Sequence, residues 1–319
     1  MSVEYPKIAA VIVTCNRFDK LKTTLSKTLA LPFSSVVVID NASHDETPNY
    51  LQSLSDKRLC CIRQEKNLGG AGGFALGFQI AADHTDAEWL LCFDDDSYPQ
   101  PDVFENFIAL PLTEDVGGVA AAVYYPDQTI CPMNRPGVNI FGSPFSVWEK
   151  LKKNQGALGL PDSAYASSES VEVSFSSFVG FFVRRSLVKR SIGLPDKDLF
   201  IYRDDSIYTL SLTKKGYKLL FAPDVRFVHD CGTPSAGRRV YNPLWKAYYI
   251  IRNDMPFFKK ISGMYFCLLL PMLFFKSIRS TFFYRKPWSF LHVALVATWD
   301  GLRNDFSKSH KAVLELAER

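Results

Sequence analysis

The sequence has no C-x-x-C pair: its seven cysteines (Cys15, Cys60, Cys61, Cys92, Cys131, Cys231, Cys267) are scattered and odd in number. That spacing offers neither a zinc site nor a disulfide framework, and several of them sit in apolar runs as small hydrophobes. Net charge is also scarce. A formal +4 over 319 residues gives no reason to expect a nucleic-acid partner. The opening MSVEYPKIAAVIV has no basic segment ahead of a cleavable apolar run, so a reducing cytoplasm is the expected compartment. No internal repeat or low-complexity tract is visible. The two apolar runs of the tail each fall short of the roughly 20 residues a spanning helix needs.

What is present is unevenly placed. Residues 241–319 hold 12 Lys+Arg against 5 Asp+Glu, a net +7, which leaves −3 for the first 240. An acidic body with a basic tail points the tail toward something anionic. Within that tail, MYFCLLLPMLFF (264–275) is expected to be interrupted by Pro271, and PWSFLHVALVATW (287–299) follows. Lys259, Lys260, Lys276, Arg279, Arg285 and Lys286 flank the two runs. This suits helices lying in a membrane interface, their basic edges toward headgroups. Packing on the body or on another subunit is the alternative.

The first 125 residues alternate two signals. KIAAVIVT, SSVVVID, RLCCIRQ and WLLCF are short continuous apolar runs, expected as buried strands. FDKLKTTLSKTLA, NASHDETPNYLQSL and PDVFENFIAL are expected as helices, with Ser43 and Glu46 at capping-box spacing, and GGAGGFALGFQIAADH as a glycine-rich turn entering a helix. The alternation predicts an α/β fold with a parallel sheet covered on both faces. Ligands of such sheets bind beyond the carboxyl ends of the strands. Thr14 to Arg17, Asp40-Asn41, Asn67 to Gly73 and Asp94 to Asp96 all follow strand ends, so one crevice should collect them. Residues 125–170 are turn-rich and expected as covering loops; a strand, an acidic turn, a helix and another strand follow.

LLCFDDDSYPQPD, residues 90–102, runs an apolar strand into three carboxylates, which costs free energy unless a positive charge is held there. In extended backbone Asp94 and Asp96 share a face and Asp95 points the other way. Such carboxylates supply oxygen ligands to Mg2+ or Mn2+, and the cation in turn bridges phosphates. A solvated acidic turn before the next helix is the alternative. Gly70-x-Gly72-x-x-Ala75 superficially matches a dinucleotide fingerprint, but it follows the third strand where that motif belongs on the first. The glycines imply close approach of a ligand, or tight helix packing.

VIVTCNRFDKLKTTL, VVVIDNASHDET, NLGGAGGF and CFDDDSYPQPD, in this order, resemble the donor half of the family 2 glycosyltransferases. NPLWKAYYIIRND and ATWDGLRNDF resemble C-terminal motifs of the branch containing galactofuranosyl- and rhamnosyltransferases. The resemblance covers most of the chain. It implies a GT-A fold, Rossmann-like with a mainly parallel sheet covered by helices. A catalytic domain would occupy 1–240, its donor half about 1–125 and its acceptor half about 126–240. A basic, apolar helical region over 241–319 would follow.

The resemblance also implies roles. Thr14, Asn16 and Arg17 would lie near the nucleotide, and Asp40 at the base or ribose. Asn67, Gly69, Gly70, Gly72 and Gly73 would cradle diphosphate or sugar, with Asp94 and Asp95 beside the donor. Asp94, Asp96 and His229 would hold Mn2+ or Mg2+, Asp96 foremost. Asp205 matches the general base and Asp204 its acidic neighbour. An inverting transfer needs one carboxylate to take the acceptor's proton and a cation to offset the departing charge. Without the family pattern, Asp204 or Asp205 could cap a helix and His229 could be a hydrogen-bonded loop histidine. Arg203, Arg238 and Arg239 could clamp phosphate or lie solvated.

The expectation is an inverting, metal-dependent glycosyltransferase, peripheral on the cytoplasmic face of the cell membrane. It would move galactofuranose from UDP-galactofuranose onto a lipid-linked bacterial surface-glycan acceptor. A dTDP-rhamnose donor is the alternative within enzymes, and a non-catalytic sugar-nucleotide-binding assembly subunit the one outside them. Self-association stays open. The Q-x-x-R-W motif of processive members is missing, which argues for one or a few additions per encounter.

Overall fold

The computed structural model describes residues 5–142, 158–231 and 240–318. Four strands open the chain: β1 (Ile8–Thr14), β2 (Ser35–Asp40), β3 (Leu59–Arg63) and β4 (Trp89–Asp94). They pair in parallel in the order β3-β2-β1-β4, joined through α1 (Phe18–Leu29), α2 (Thr47–Ser53) and α3 (Gly69–His84). Every residue of β1 is buried, as a strand covered on both faces requires. Its alternation sorts the layers. Ala10 and Ile12 belong to one core with Leu21 and Leu25 of α1, while Ala9, Val11 and Val13 pack with Phe74 and Phe78 of α3.

The sheet then becomes mixed. β5 (Ser97–Pro99), α4 (Val103–Ile108), β6 (Val116–Tyr124), β7 (Val171–Val173), β8 (Phe181–Arg184), α5 (Asp204–Lys214) and β9 (Lys218–His229) follow. β8 lies between β4 and β6, antiparallel to both, and β9 runs parallel to β6. β5 and β7 pair antiparallel with β9. The parallel expectation therefore holds among the first four strands and between β6 and β9, while β5, β7 and β8 pair antiparallel. Only Asp95 and Asp96 separate β4 from β5, far fewer residues than a parallel crossover needs.

Two local expectations need correction. Ser43 and Glu46 form no capping box, because α2 begins only at Thr47 and Ser43 lies upstream of it. The Ser43 hydroxyl instead accepts the Asn16 N–H (2.9 Å), and Asp45 accepts the Thr47 N–H (3.0 Å). Pro271 does not interrupt its segment either. It sits inside a helix, where the missing N–H costs one hydrogen bond and the flanking turns carry the helix past it.

That helix is α7 (Phe266–Thr281), preceded by α6 (Trp245–Ser262) and followed by α8 (Pro287–Arg303) and α9 (His310–Glu318). Through a short 3-10 turn α6 and α7 form one helical run, Trp245–Thr281, long and apolar enough to cross a membrane by length and composition. α6 is anchored to the body: Phe257 and Ile261 share a buried cluster with Phe175 and with Leu210 of α5. Tyr248 and Tyr249 pack on Val293 and Ala297 of α8 and on Val313 of α9. α7 behaves differently, with Leu268, Met272 and Phe275 all exposed along it. Their spacing of three or four residues makes one apolar stripe.

Candidate active site

β4 ends at Asp94, and Asp95-Asp96 turn the chain into β5. Ser97 of β5 lies opposite His229, the last residue of β9, and the Asp230 N–H donates to the Asp96 carbonyl at 2.7 Å. This register brings His229 Nε2 to 3.1 Å from Asp96 Oδ1. One ligand atom from each of Asp94, Asp96 and His229 lies within 4.8 Å of the others. Two carboxylates and an imidazole form a donor set suited to Mn2+ and, less selectively, Mg2+. The extended geometry foreseen for the triplet stops at Asp94, yet Asp94 and Asp96 still converge.

Asn134 was not foreseen. Its Oδ1 accepts from His229 Nδ1 at 2.7 Å, and its amide donates to Ser177 Oγ at 3.0 Å. The ring is thereby held with Nε2 toward the acids, the orienting role that outer residues play around metal-binding histidines. Asn134 lies in the turn-rich stretch, where no periodicity marks a position. The only hint there was an asparagine among prolines and glycines. Arg17 reaches the same cluster: its guanidinium donates to Asp96 and lies 3.7 Å from Asp95 Oδ1.

The cluster is electrostatically loaded. Burial, reinforced by the Asp96 charge, pushes the Asp94 carboxyl up to about 6. Burial also pushes Asp95 up to about 7. Asp96 falls below the ordinary range, because its bonds to His229 and Arg17 outweigh its burial. His229 rises to about 10; burial opposes the shift, and the Asp96 bond with the Asp94 charge overrides it.

Thr14 and Asp40 are register neighbours at the ends of β1 and β2. Asp40 Oδ1 accepts the Ser43 N–H at 2.9 Å. Its Oδ2 makes no hydrogen bond but is ion-paired with Arg63 Nε at 3.6 Å, and the Thr14 side chain bonds to the Asp95 carboxyl. Both residues are buried at adjacent strand ends. Asn16 is used differently: in left-handed backbone (φ 54°), it accepts the His44 N–H at 2.7 Å and ties the two loops together. Asn41, expected at the crevice with Asp40, donates to the Gly69 carbonyl at 2.7 Å.

The glycines after Asn67 are not in a loop, since α3 begins at Gly69. Gly69 has φ +73°, and a Cβ there would lie 2.0 Å from the Phe200 carbonyl oxygen. A Cβ on Gly73 would lie 2.4 Å from Val13 Cγ1. Close packing of α3 accounts for these two, and for Gly72 against Leu68, while Gly70 faces open space. The Asn67 side chain accepts the Gly69 N–H at 2.8 Å.

Asp204 and Asp205 open α5, and Asp205 Oδ1 accepts the Ser206 N–H in its first turn. Asp204 is buried; Asp205 is partly exposed and accepts from the Ser206 hydroxyl at 3.0 Å. Burial and then the Asp205 charge hold the Asp204 carboxyl far above its ordinary range, and burial raises Asp205 too. Asp94 feels the charge of Asp205, and Asp204 that of Asp94, so the two acid groups share one electrostatic neighbourhood. Arg203 has its own partners. Its Nε donates to Asp254 at 2.7 Å and its guanidinium stacks 4.5 Å over the Phe257 ring. Arg238 and Arg239 lie outside the described residues.

Residues 9–190 match the model of glycosyl transferase family 2. The chain belongs to that family. It is 26% identical over 262 residues to galactofuranosyltransferase GlfT1 of Mycolicibacterium smegmatis, covering 77% of this chain and 81% of that one. It is 23% identical over 317 residues to dTDP-rhamnosyl transferase RfbF of Shigella flexneri, covering 93% and 95%. Among solved structures, GalNAc-T7 with UDP, GalNAc and Mn2+ superposes with a TM-score of 0.58 at 14% identity, over 98% of this chain but 57% of that one. The S. aureus TarS fragment gives 0.56 at 14% identity, over 94% and 82%. The fold is thus of the GT-A type, and this family 2 member is a glycosyltransferase.

Proposed function

We propose that this family 2 enzyme moves a single sugar from a nucleoside-diphosphate carrier to a hydroxyl acceptor, with inversion at the anomeric carbon. The observation that carries the reading is the convergence of Asp94, Asp96 and His229 at the strand ends. Asp204-Asp205, distant in sequence, supply a second acid pair that burial drives toward its neutral form. Thr14 and Asp40, buried at adjacent strand ends, would take the nucleoside. Gly70 and Asn67 would border the diphosphate or sugar, and Arg17 and Asp95 would stand beside them. Asp94, Asp96 and His229 would hold Mn2+ or Mg2+, which supplies a Lewis acid for the departing diphosphate.

Asp205 would take the acceptor's proton. Asp204, buried and driven toward its neutral form, leaves Asp205 as the ionised member of the pair, and Asp205 is the more exposed of the two. A carboxylate whose pKa is raised by burial is a better base at neutral pH than an exposed one. The acceptor side is proposed to be a lipid-linked glycan met at an anionic membrane surface. Support comes from the exposed stripe of α7 and from Lys276, Arg279, Arg285 and Lys286 beside it.

Galactofuranose from UDP-galactofuranose is the donor we favour, after the printed name of the GlfT1 relative. The RfbF relative names dTDP-rhamnose chemistry instead. A panel of nucleotide sugars with Mn2+ or Mg2+, scored for donor hydrolysis and for protection against thermal unfolding, decides between them. Selective hydrolysis of UDP-galactofuranose supports the reading. Selection of dTDP-rhamnose replaces the donor, and binding without any turnover returns the assembly-subunit alternative.

A further inference from the structure

The segment entering the Asp204-Asp205 pair is held in an unusual backbone. Phe200, Tyr202 and Arg203 all have positive φ (66°, 67° and 65°), a region that non-glycine residues rarely occupy. Such conformations persist only where the surroundings over-determine them. The surroundings here are three consecutive residues of α6. Asn253, fully buried, points its amide at three carbonyls: Leu199 (3.0 Å), Ile201 (2.9 Å) and Tyr202 (2.8 Å). Arg252, also buried, donates from Nε to Asn253 Oδ1 (2.8 Å), which fixes the amide's orientation, and from Nη2 to the Leu199 carbonyl (2.8 Å). Its guanidinium is enclosed by the Tyr249 and Phe306 rings, at 5.0 and 4.9 Å. Asp254 takes the Arg203 side chain.

The same segment touches the other side of the crevice. The Phe200 carbonyl accepts the Ala71 N–H at 3.1 Å, and this is the oxygen that the missing Cβ of Gly69 leaves room for. The first turn of α3, the strained segment and α6 are thus hydrogen-bonded in series, and the acid pair emerges directly from the middle member.

We propose that Arg252-Asn253-Asp254 is a positioning clamp, which sets Asp204 and Asp205 against the donor crevice through the backbone of residues 199–203. This rests on the transferase reading, with Asp205 as base. None of the three clamp residues need touch substrate. With the backbone of residues 199–203 released, the segment would relax toward ordinary φ and carry the first turn of α5 with it. A displacement of about 1 Å at a reacting carboxylate costs up to about a hundredfold in rate.

The test compares Asn253→Ala, Asn253→Ser and Asp254→Asn in the full chain with Met255→Ala, a buried change on the same helix that leaves the clamp intact. Hydrolysis of whichever of UDP-galactofuranose or dTDP-rhamnose the wild type accepts would be followed at several donor concentrations, alongside melting temperature. The expected result is a kcat lowered about tenfold to a hundredfold in Asn253→Ala, with donor KM within about twofold. Asn253→Ser, keeping one donor hydroxyl, should recover part of the loss, and Asp254→Asn should show a smaller one. Met255→Ala should lower the melting temperature without lowering kcat while folded. The clamp is overturned if folded Asn253→Ala retains wild-type kcat, or if Met255→Ala loses kcat equally at a matched melting temperature. If Asn253→Ala fails to fold, an unchanged kcat in both Asn253→Ser and Asp254→Asn overturns it as well. Failure of the transferase reading looks different: Asp205→Asn would then keep full activity, or the wild type would hydrolyse neither donor.

Discussion

His229 Nε2 lies 3.1 Å from Asp96 Oδ1 across 133 residues of chain, and Asn134 holds the other ring nitrogen at 2.7 Å. If this pair closes one side of a cation site, Asn134→Ala should weaken Mn2+ binding about tenfold to a hundredfold, the usual cost of losing an orienting partner. His229→Ala should weaken it at least as much. Calorimetric titration with Mn2+ measures both, and unchanged affinity in the two variants would remove the histidine from the site.

The stability contributed by Asp94, Asp95 and His229 in the metal-free chain should fall as pH rises from about 4 to about 10. The Cys131 thiol beside His229, lowered to about 5, acts with the opposite sign. Asp94 and Asp95, raised to about 6 and about 7, hold protons in the folded state that the unfolded chain has already released above about 4. His229, raised to about 10, does the same above the unfolded value near 6.5. At these three groups the folded protein therefore binds more protons across that window, which gives their contribution a negative slope with pH. The lowered Asp96 acts oppositely and only in acid, where its contribution is lost as pH falls. Mn2+ competes with those protons, so its stabilisation should be larger at pH 8.5 than at pH 6, approaching about 2.7 kcal/mol at a hundredfold excess over Kd. Melting curves with Mn2+ and with a chelator test this. A metal-induced shift independent of pH would contradict it.

Asp205→Asn should abolish nearly all transfer, by about two to four orders of magnitude, because the amide cannot take a proton. Thermal protection by the donor should survive. Retained transfer would move the base elsewhere, with Asp204 the first residue to test.

Asp40→Asn keeps the oxygen that accepts the Ser43 N–H and replaces the one ion-paired with Arg63. Nucleoside-diphosphate affinity should drop about tenfold, in line with the roughly 1.5–3 kcal/mol of a charge-assisted hydrogen bond, with little change in kcat. Equal affinities by calorimetry would leave Asp40 a purely structural residue beside Arg63.

Leu268→Glu with Phe275→Glu places charge in the α7 stripe, away from the crevice. Binding to vesicles rich in anionic lipid should fall at least tenfold, since burying either side chain contributes about 1.5–3 kcal/mol. Hydrolysis of the donor in detergent-free buffer should be unchanged. Equal sedimentation of variant and wild type with the vesicles would turn the stripe toward a protein partner.

Much of the donor half could be read locally. Continuous apolar runs define β1, β2 and β4, which are buried on both faces. The run expected as a buried third strand is the partly exposed edge strand β3, and the polar residues at the strand ends mark the crevice. Other features are invisible at that range. Asn41, Asn134 and Asn253 are single asparagines whose partners lie elsewhere, and each matters through the backbone or ring it meets far along the chain. The glycines of α3 were ambiguous between ligand and packing until Phe200 and Val13 were seen against them. Pro271 was read as a break because sequence records the missing N–H and not the turns that carry the helix past it.

The residue order alone determined the α/β layering, the acidic strand end and the basic tail, because periodicity and charge are local properties. Only the tertiary structure decided that β5 pairs with the end of β9, that Asp96 thereby meets His229, and that α6 grips the entry to Asp204-Asp205. The reason is physical. Those contacts join residues about 50 to 130 apart in the chain, and long-range pairings depend on the register of the whole sheet, which no short stretch encodes.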